Sequence, residues 1–287
     1  MTGEASLFLS LCNEMLADEG FSIGQQAEIA KALGYQGLEL APGTLGKQPH
    51  TLDRDSLKDV RQRIENQGLR TTGLHWLLAP YPDASIVDRS KVTETEGILL
   101  SLIDQCAALG GTVLVHGSPS SRQVPSSVSN DEAKDVVAGR FSRLACRALD
   151  QGVCYCSEPL SRSETGFINT VAEGAKLVEQ VGSPAFQTMI DTSAAGLAEE
   201  LSVAALIETW VLSGSIAHIQ VNDTNRGAPG TGDDPFNDIV AALRRVGWSK
   251  PIAVEPFRSV VNAVATAAIG AATMRAHWQN HLHSEAG

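Results

Sequence analysis

Short apolar runs alternate with amphipathic stretches along the whole chain. Eight runs read as strands, at residues 6–11, 37–40, 72–77, 112–116, 153–158, 187–191, 216–221 and 251–255. Helical periodicity follows each of them, at residues 23–33, 57–66, 97–109, 138–150, 171–181, 203–210, 239–246 and 260–278. Gly34, Gly68, Gly110, Gly152, Gly182 and Gly247 each stand just past a helical run, where a left-handed C-cap forms. A strand and helix repeated eight times, with no linker or shift in composition, predicts one domain over residues 1–287 built as a (β/α)8 barrel. A doubly wound open sheet is the alternative, because local pattern cannot show closure. Two connections, 79–96 and the Ser- and Pro-rich 117–135, are long enough to be lids or binding loops.

Barrel enzymes place their chemistry at the C-terminal strand ends, so polar residues there are the candidates. They are Asn13 and Glu14, Glu39, His75, His116, Glu158, Asp191, then His218, Gln220 and Asn222, and finally Glu255. Strand side chains alternate between faces, so His218, Gln220 and Asn222 share one face and Ile219 and Val221 the other. The same parity aims Glu39, His75, His116, Glu158 and Glu255 inward, mostly beside small residues, and turns Val113, Val115, Val153, Tyr155, Ile252 and Val254 towards outer helices.

Composition narrows the function classes. The chain is 43% apolar and 19% charged, with no apolar run of the roughly 18 residues a membrane helix needs. No basic segment precedes an apolar stretch in residues 1–13, so the expected location is the cytoplasm. A net charge of -11 argues against nucleic acid as the main partner but leaves room for a local basic patch. Five cysteines is an odd number, and Cys154 and Cys156 are too close along one strand for an ordinary disulfide, so all five are read as free thiols. No Cys/His cluster stands at zinc-site spacing along the sequence.

Glu158, Asp191 and Glu255 end strands five, six and eight, with His218 and Gln220 on the strand between. Inward carboxylates held together repel unless a cation sits among them, and oxygen-rich ligation suits Mn2+ or Mg2+ better than structural zinc. A lone glutamate at a strand end is more often a salt-bridge partner, and a lone His75 or His116 a hydrogen-bonded rim residue. Four such groups at matched depth on neighbouring strands are harder to dismiss.

At this point the motifs resemble the xylose isomerase-like sugar isomerases and epimerases, in particular the ketose 3-epimerases. The residues that carry the resemblance run from Gly37-Leu38-Glu39-Leu40-Ala41-Pro42 through Gly73-Leu74-His75-Trp76, Val115-His116-Gly117, Phe167-Ile168-Asn169-Thr170 and Ile190-Asp191-Thr192. They continue through residues 217–226, Pro229-Gly230-Thr231-Gly232 and Val254-Glu255-Pro256-Phe257. The resemblance implies that Glu158, Asp191, Gln220 and Glu255 ligate Mn2+ or Mg2+, with Co2+ as a substitute. It implies that Glu158 and Glu255 are the acid/base pair, passing a proton through a metal-held enediolate. Arg226 and Glu164 match positions that hold substrate hydroxyls, and Trp76, His75, His116 and Glu39 are expected around the same substrate, a small ketose or hydroxy-carbonyl compound. Family members are often dimers or tetramers. Two positions depart from the epimerase pattern: Gln220 stands where His is usual, as in hydroxypyruvate isomerases and 3-dehydroshikimate dehydratases, and Ala194 replaces another His. A dehydratase of the same fold, or a non-catalytic sugar- or metal-binding homologue, is the alternative reading. The acidic charge disfavours the apurinic endonuclease branch.

Overall fold

The computed structural model describes residues 6–285. Eight parallel strands pair in sequence order and β8 closes on β1, so the sheet is a barrel and the open-sheet alternative falls. The strands are β1 (Leu9–Cys12), β2 (Gly37–Leu40), β3 (Arg70–Leu74), β4 (Val113–His116), β5 (Cys154–Ser157), β6 (Phe186–Asp191), β7 (Ile216–Val221) and β8 (Ile252–Val254). Around them lie α1 (Glu14–Asp18), α2 (Ile23–Ala32), α3 (Arg54–Glu65), α4 (Val92–Leu109), α5 (Asn130–Gln151), α6 (Val171–Val181), α7 (Thr192–Ala198), α8 (Val203–Val211), α9 (Phe236–Arg245) and α10 (Ala263–Glu285).

The long connections are shorter than the sequence predicts, because helices invade them. Five residues of the 79–96 stretch belong to α4, and α5 begins at Asn130 inside the 117–135 stretch. Ser129 caps α5 by accepting from Glu132 N, and Asp131 and Glu132 sit in its first turn, where the helix dipole favours negative charge. Gly110 and Gly152 end α4 and α5 with φ of 85° and 68°, the left-handed caps the sequence predicts. The five cysteines are free thiols, and no helix among the described residues is long and apolar enough to cross a membrane.

The main core lies between strands and helices, where Leu38, Leu40, Tyr155, Phe186, Ile190, Ile219 and Val254 meet residues such as Ile64, Leu102, Phe141 and Val240. A smaller apolar cluster of Val113, Val115, Cys156 and Met189 fills part of the lumen. This reverses the expected parity of β4. Val113 and Val115 face inward, while Leu114 joins the outer core and His116 packs edge-on against Phe141 of α5, with ring centroids 5.6 Å apart. All four β4 residues are buried, so alternation of polar and apolar residues cannot tell lumen from shell there.

Phe141 also touches Tyr155 and Phe186, which ties α5 to β5 and β6. It is fully buried, so Phe141→Ala leaves a cavity that the shell cannot refill. A loss of about 3–5 kcal/mol is expected in urea unfolding.

Candidate active site

The site is a pocket of about 310 Å3 at the C-terminal mouth of the barrel. Its wall includes Trp76, Gly117, Ser118, Leu160, Glu164, Ala194, Arg226 and Phe257, with Glu158 and Asp191 at its charged end. Carboxylate oxygens of Glu158, Asp191 and Glu255 all lie within 4.8 Å of one another. Three strand ends therefore deliver three buried carboxyls to one point.

Each carboxyl is held by its own local device. Asp191 Oδ1 accepts from Ala194 N (2.7 Å), so the residue also caps α7, and Oδ2 accepts from Asn222 Nδ2 (2.8 Å). The same Nδ2 donates to the Glu255 carbonyl (3.1 Å), and Asn222 Oδ1 accepts from Ser193 N (2.8 Å). Asn222 thus straps the ends of β6, β7 and β8 together. Glu158 lies against Gly117, where any Cβ would overlap its Oε2. Arg122, buried and reaching in from the loop after β4, donates Nη1 to the Glu158 carbonyl (2.6 Å) and Nη2 to the His116 carbonyl.

Burial and mutual repulsion set the electrostatics. Desolvation, then Asp191, pushes the Glu158 carboxyl well above its ordinary value, with Arg122 opposing. Desolvation, then Glu158 and Asp191, does the same to Glu255. Asp191 is pushed up to about 6 by burial, its hydrogen bonds limiting the rise. A cation among the three removes the repulsion.

The donor set fits a hard divalent ion. Gln220 is fully buried and stands opposite Asp191 in the strand register. Its Nε2 donates to Glu39 Oε1 (2.9 Å), which leaves Gln220 Oε1 buried without a partner, and Glu255 Oε2 is in the same condition. Unpaired buried oxygens next to a carboxylate triad are what a missing cation leaves behind, and an amide oxygen with three carboxylates suits Mn2+ or Mg2+.

The expected substrate contacts divide into two groups. Trp76, Glu164 and Arg226 line the pocket. Trp76 stacks on Phe257 with centroids 5.5 Å apart, and the Arg226 guanidinium lies 4.2 Å from the centroid of the Phe257 ring while its Nη1 donates to Glu164 Oε1 (3.1 Å). Both Trp76 and Arg226 adopt positive φ, 54° and 66°. Left-handed backbone at a non-glycine costs about 1–3 kcal/mol and persists where the surroundings impose it. Glu39, His75 and His116 have no exposed surface and do not line this pocket. His116 points into the helical shell, where Nδ1 is 2.6 Å from Tyr155 Oη and Nε2 is 3.2 Å from Ser121 Oγ. Burial, reinforced by Arg122, keeps it well below the ordinary histidine range and therefore neutral. His75 and Glu39 lie in the lumen against the carboxyl cluster, with His75 Nε2 2.8 Å from Glu14 Oε2 and 3.8 Å from Glu255 Oε1.

Phe257, Arg122 and Gly117 were not among the predicted site residues, and Asn222 was a strand-end candidate without an assigned role. Strand parity already put Asn222 beside Gln220, and that was the available signal. Phe257 and Arg122 sit on loops, where no periodicity aims a side chain.

The chain belongs to the xylose isomerase-like TIM-barrel family, whose pattern residues 27–277 match. Among its relatives, L-ribulose 3-epimerase of Methylomonas sp. (strain DH-1) is 26% identical over 236 residues, covering 81% of this chain and 77% of that protein. D-psicose 3-epimerase of Agrobacterium fabrum is 33% identical over 129 residues, 44% of each chain. In fold, the chain resembles the crystal structure of D-psicose 3-epimerase with D-tagatose from Clostridium cellulolyticum H10, with a TM-score of 0.76, 19% identity, and coverage of 96% of this chain and 97% of that one.

The raised carboxyls give a pH signature for metal-free protein. Their native pKa values exceed the unfolded ones, so the native state retains protons that the unfolded chain has released, and stability falls as pH rises. The share from Asp191 is lost as pH rises to about 6, and those of Glu158 and Glu255 further up. Chelator-treated protein should therefore melt at lower temperature at about pH 8 than at about pH 6, and added Mn2+ should raise Tm more at the higher pH. Differential scanning fluorimetry reads both, and a flat response to pH and metal contradicts the clustering.

Proposed function

We propose that the protein is a divalent-metal-dependent sugar epimerase or isomerase acting on a small ketose or hydroxy-carbonyl substrate, with Glu158 and Glu255 as its acid/base pair. The observation that carries this reading is the buried triad of Glu158, Asp191 and Glu255, contiguous with a pocket of sugar size. Glu158, Asp191, Gln220 and Glu255 would hold the ion, Mn2+ or Mg2+. When bound, it would polarise the substrate carbonyl and stabilise the negative charge that develops on proton loss.

The chain's own groups do the rest. Glu158 and Glu255 come from strands three apart around the barrel, so a substrate held between them presents a different face to each. As carboxyl groups, each can take up a proton and return it. Removal of a proton from carbon on one face and return on the other inverts the centre, whereas return to the adjacent carbon isomerises the sugar. Trp76 and Phe257 offer an apolar wall for C–H faces, and Glu164 and Arg226 offer paired hydrogen-bonding groups for hydroxyls. Asn222 fixes Asp191 and the β8 end relative to each other, so it positions without touching the reacting atoms.

The names of the relatives support a ketose and a 3-epimerisation. Ala194, which lines the pocket, leaves the choice among ketoses open to assay. Incubating Mn2+-loaded protein with D-fructose, D-psicose, D-tagatose and L-ribulose and resolving the products by chromatography tests the reading. Loss of water from a cyclic keto-acid in place of epimer formation would favour the dehydratase. Glu158→Gln and Glu255→Gln should each lower kcat by about 100- to 10,000-fold while Tm with metal stays near that of the parent. Near-normal turnover in either variant removes that residue from the mechanism.

A further inference from the structure

Below the carboxyl triad, and joined to it through His75, whose Nε2 lies 3.8 Å from Glu255 Oε1, the lumen holds a second cluster. Glu39, from β2, has no exposed surface. Its Oε1 lies 3.8 Å from His75 Nδ1 and 3.8 Å from Cys12 Sγ, and its Oε2 lies 2.9 Å from His218 Nε2. Donor atoms of Cys12, Glu39 and His75 all fall within 4.8 Å of one another. His75 Nδ1, His218 Nε2 and Glu39 Oε2 are nevertheless without a formed hydrogen bond, although each belongs to a side chain at most 3% exposed. The 2.9 Å approach of His218 to Glu39 is therefore close in distance but out of line for a hydrogen bond.

Donor atoms of Cys12, Glu39 and His75 converging in the buried lumen have the arrangement of ligands around a shared ion. Tetrahedral zinc, with bonds of about 2.0–2.3 Å, spaces neighbouring ligands by about 3.3–3.8 Å, which matches the distances of Cys12 and His75 from Glu39 Oε1. The far side of His75 supplies an independent sign. Its Nε2 is 2.8 Å from Glu14 Oε2, and a metal-ligating imidazole ordinarily donates its other ring nitrogen to a carboxylate. We propose that Cys12, Glu39 and His75 form a second divalent-cation site in the middle of the barrel, with a mixed nitrogen, oxygen and sulfur donor set that selects zinc and with His218 beside the other Glu39 oxygen. The upper set of carboxylates and an amide has no sulfur and prefers a harder ion. The ion would neutralise Glu39, the residue that fixes the Gln220 amide, and so brace the upper site from below.

Cobalt substitution tests this. Full-length protein, stripped and reloaded with Co2+, should bind two equivalents per chain and show a near-ultraviolet thiolate-to-cobalt charge-transfer band. Cys12→Ser should lose that band, and His75→Gln should lose the second equivalent. Asp191→Asn should lower the other equivalent and keep the band. Because only the lower set contains sulfur, the band reports on this site whether or not the protein epimerises sugars. Should the variants fail to fold, X-ray absorption of the parent protein loaded with Zn2+ decides by the presence or absence of a sulfur neighbour. One equivalent at most, or two with no sulfur ligand, overturns the proposal and leaves His75 as an imidazolium bridging Glu14 and Glu39.

Discussion

Repulsion among buried carboxylates is the constraint on which the rest of this barrel's polar architecture depends. Glu158, Asp191 and Glu255 meet at the mouth, with Glu39 and Glu14 buried close by. Burial alone penalises every one of these charges, and proximity adds to the penalty. The surrounding structure answers with Arg122 beside Glu158, with the Asn222 strap and the α7 N-terminus on Asp191, and with His75 and His218 around Glu39. Glu39 is the informative case. Burial would raise it, but His218, and then His75 and Gln220, outweigh that and hold its carboxyl below the usual range. No comparable set of cationic partners answers for Glu158 and Glu255, so the unbalanced charge sits where a metal and a reacting proton can use it.

Backbone strain is spent at the same mouth. Trp76 and Arg226 take left-handed conformations on opposite sides of Phe257, and the three side chains stack into one wall of the pocket. Asp223 makes this possible at β7 by accepting from Gly230 N, Gly232 N and Asp234 N, which folds residues 223–234 back on themselves and throws Arg226 towards Glu164. The loop is thus organised by a buried carboxylate that takes no part in the chemistry.

Most of the architecture is legible along the chain, since each βα unit writes its own signature. Apolar runs give the strands, glycines past helical runs give the caps, and polar residues at strand ends give Glu158, Asp191 and Glu255, whose carboxyls the structure brings together. The legibility fails where alternation fails. On β4 both faces are apolar, so His116 was aimed inward and belongs to the helical shell. Glu39 and His75 meet His218 and Glu14 in the lumen, contacts that depend on strand stagger. The β2–β3 and β6–β7 pairs shift register at Leu38/Glu39 and Thr188/Met189, and no local pattern records a shift.

The sequence by itself determined the eight-fold repeat, the side of each strand that carries polar groups on most strands, and the presence of oxygen donors in excess of cations at one end. These are local properties, set by periodicity and residue type. Tertiary structure alone decided that the sheet closes, which donors share a point, and which are left unpaired. Cys12, Glu39, His75 and His218 come from four separate stretches and have no spacing that announces a cluster. Closure of the barrel brings them together, because a ring of strands makes neighbours of residues about two hundred positions apart.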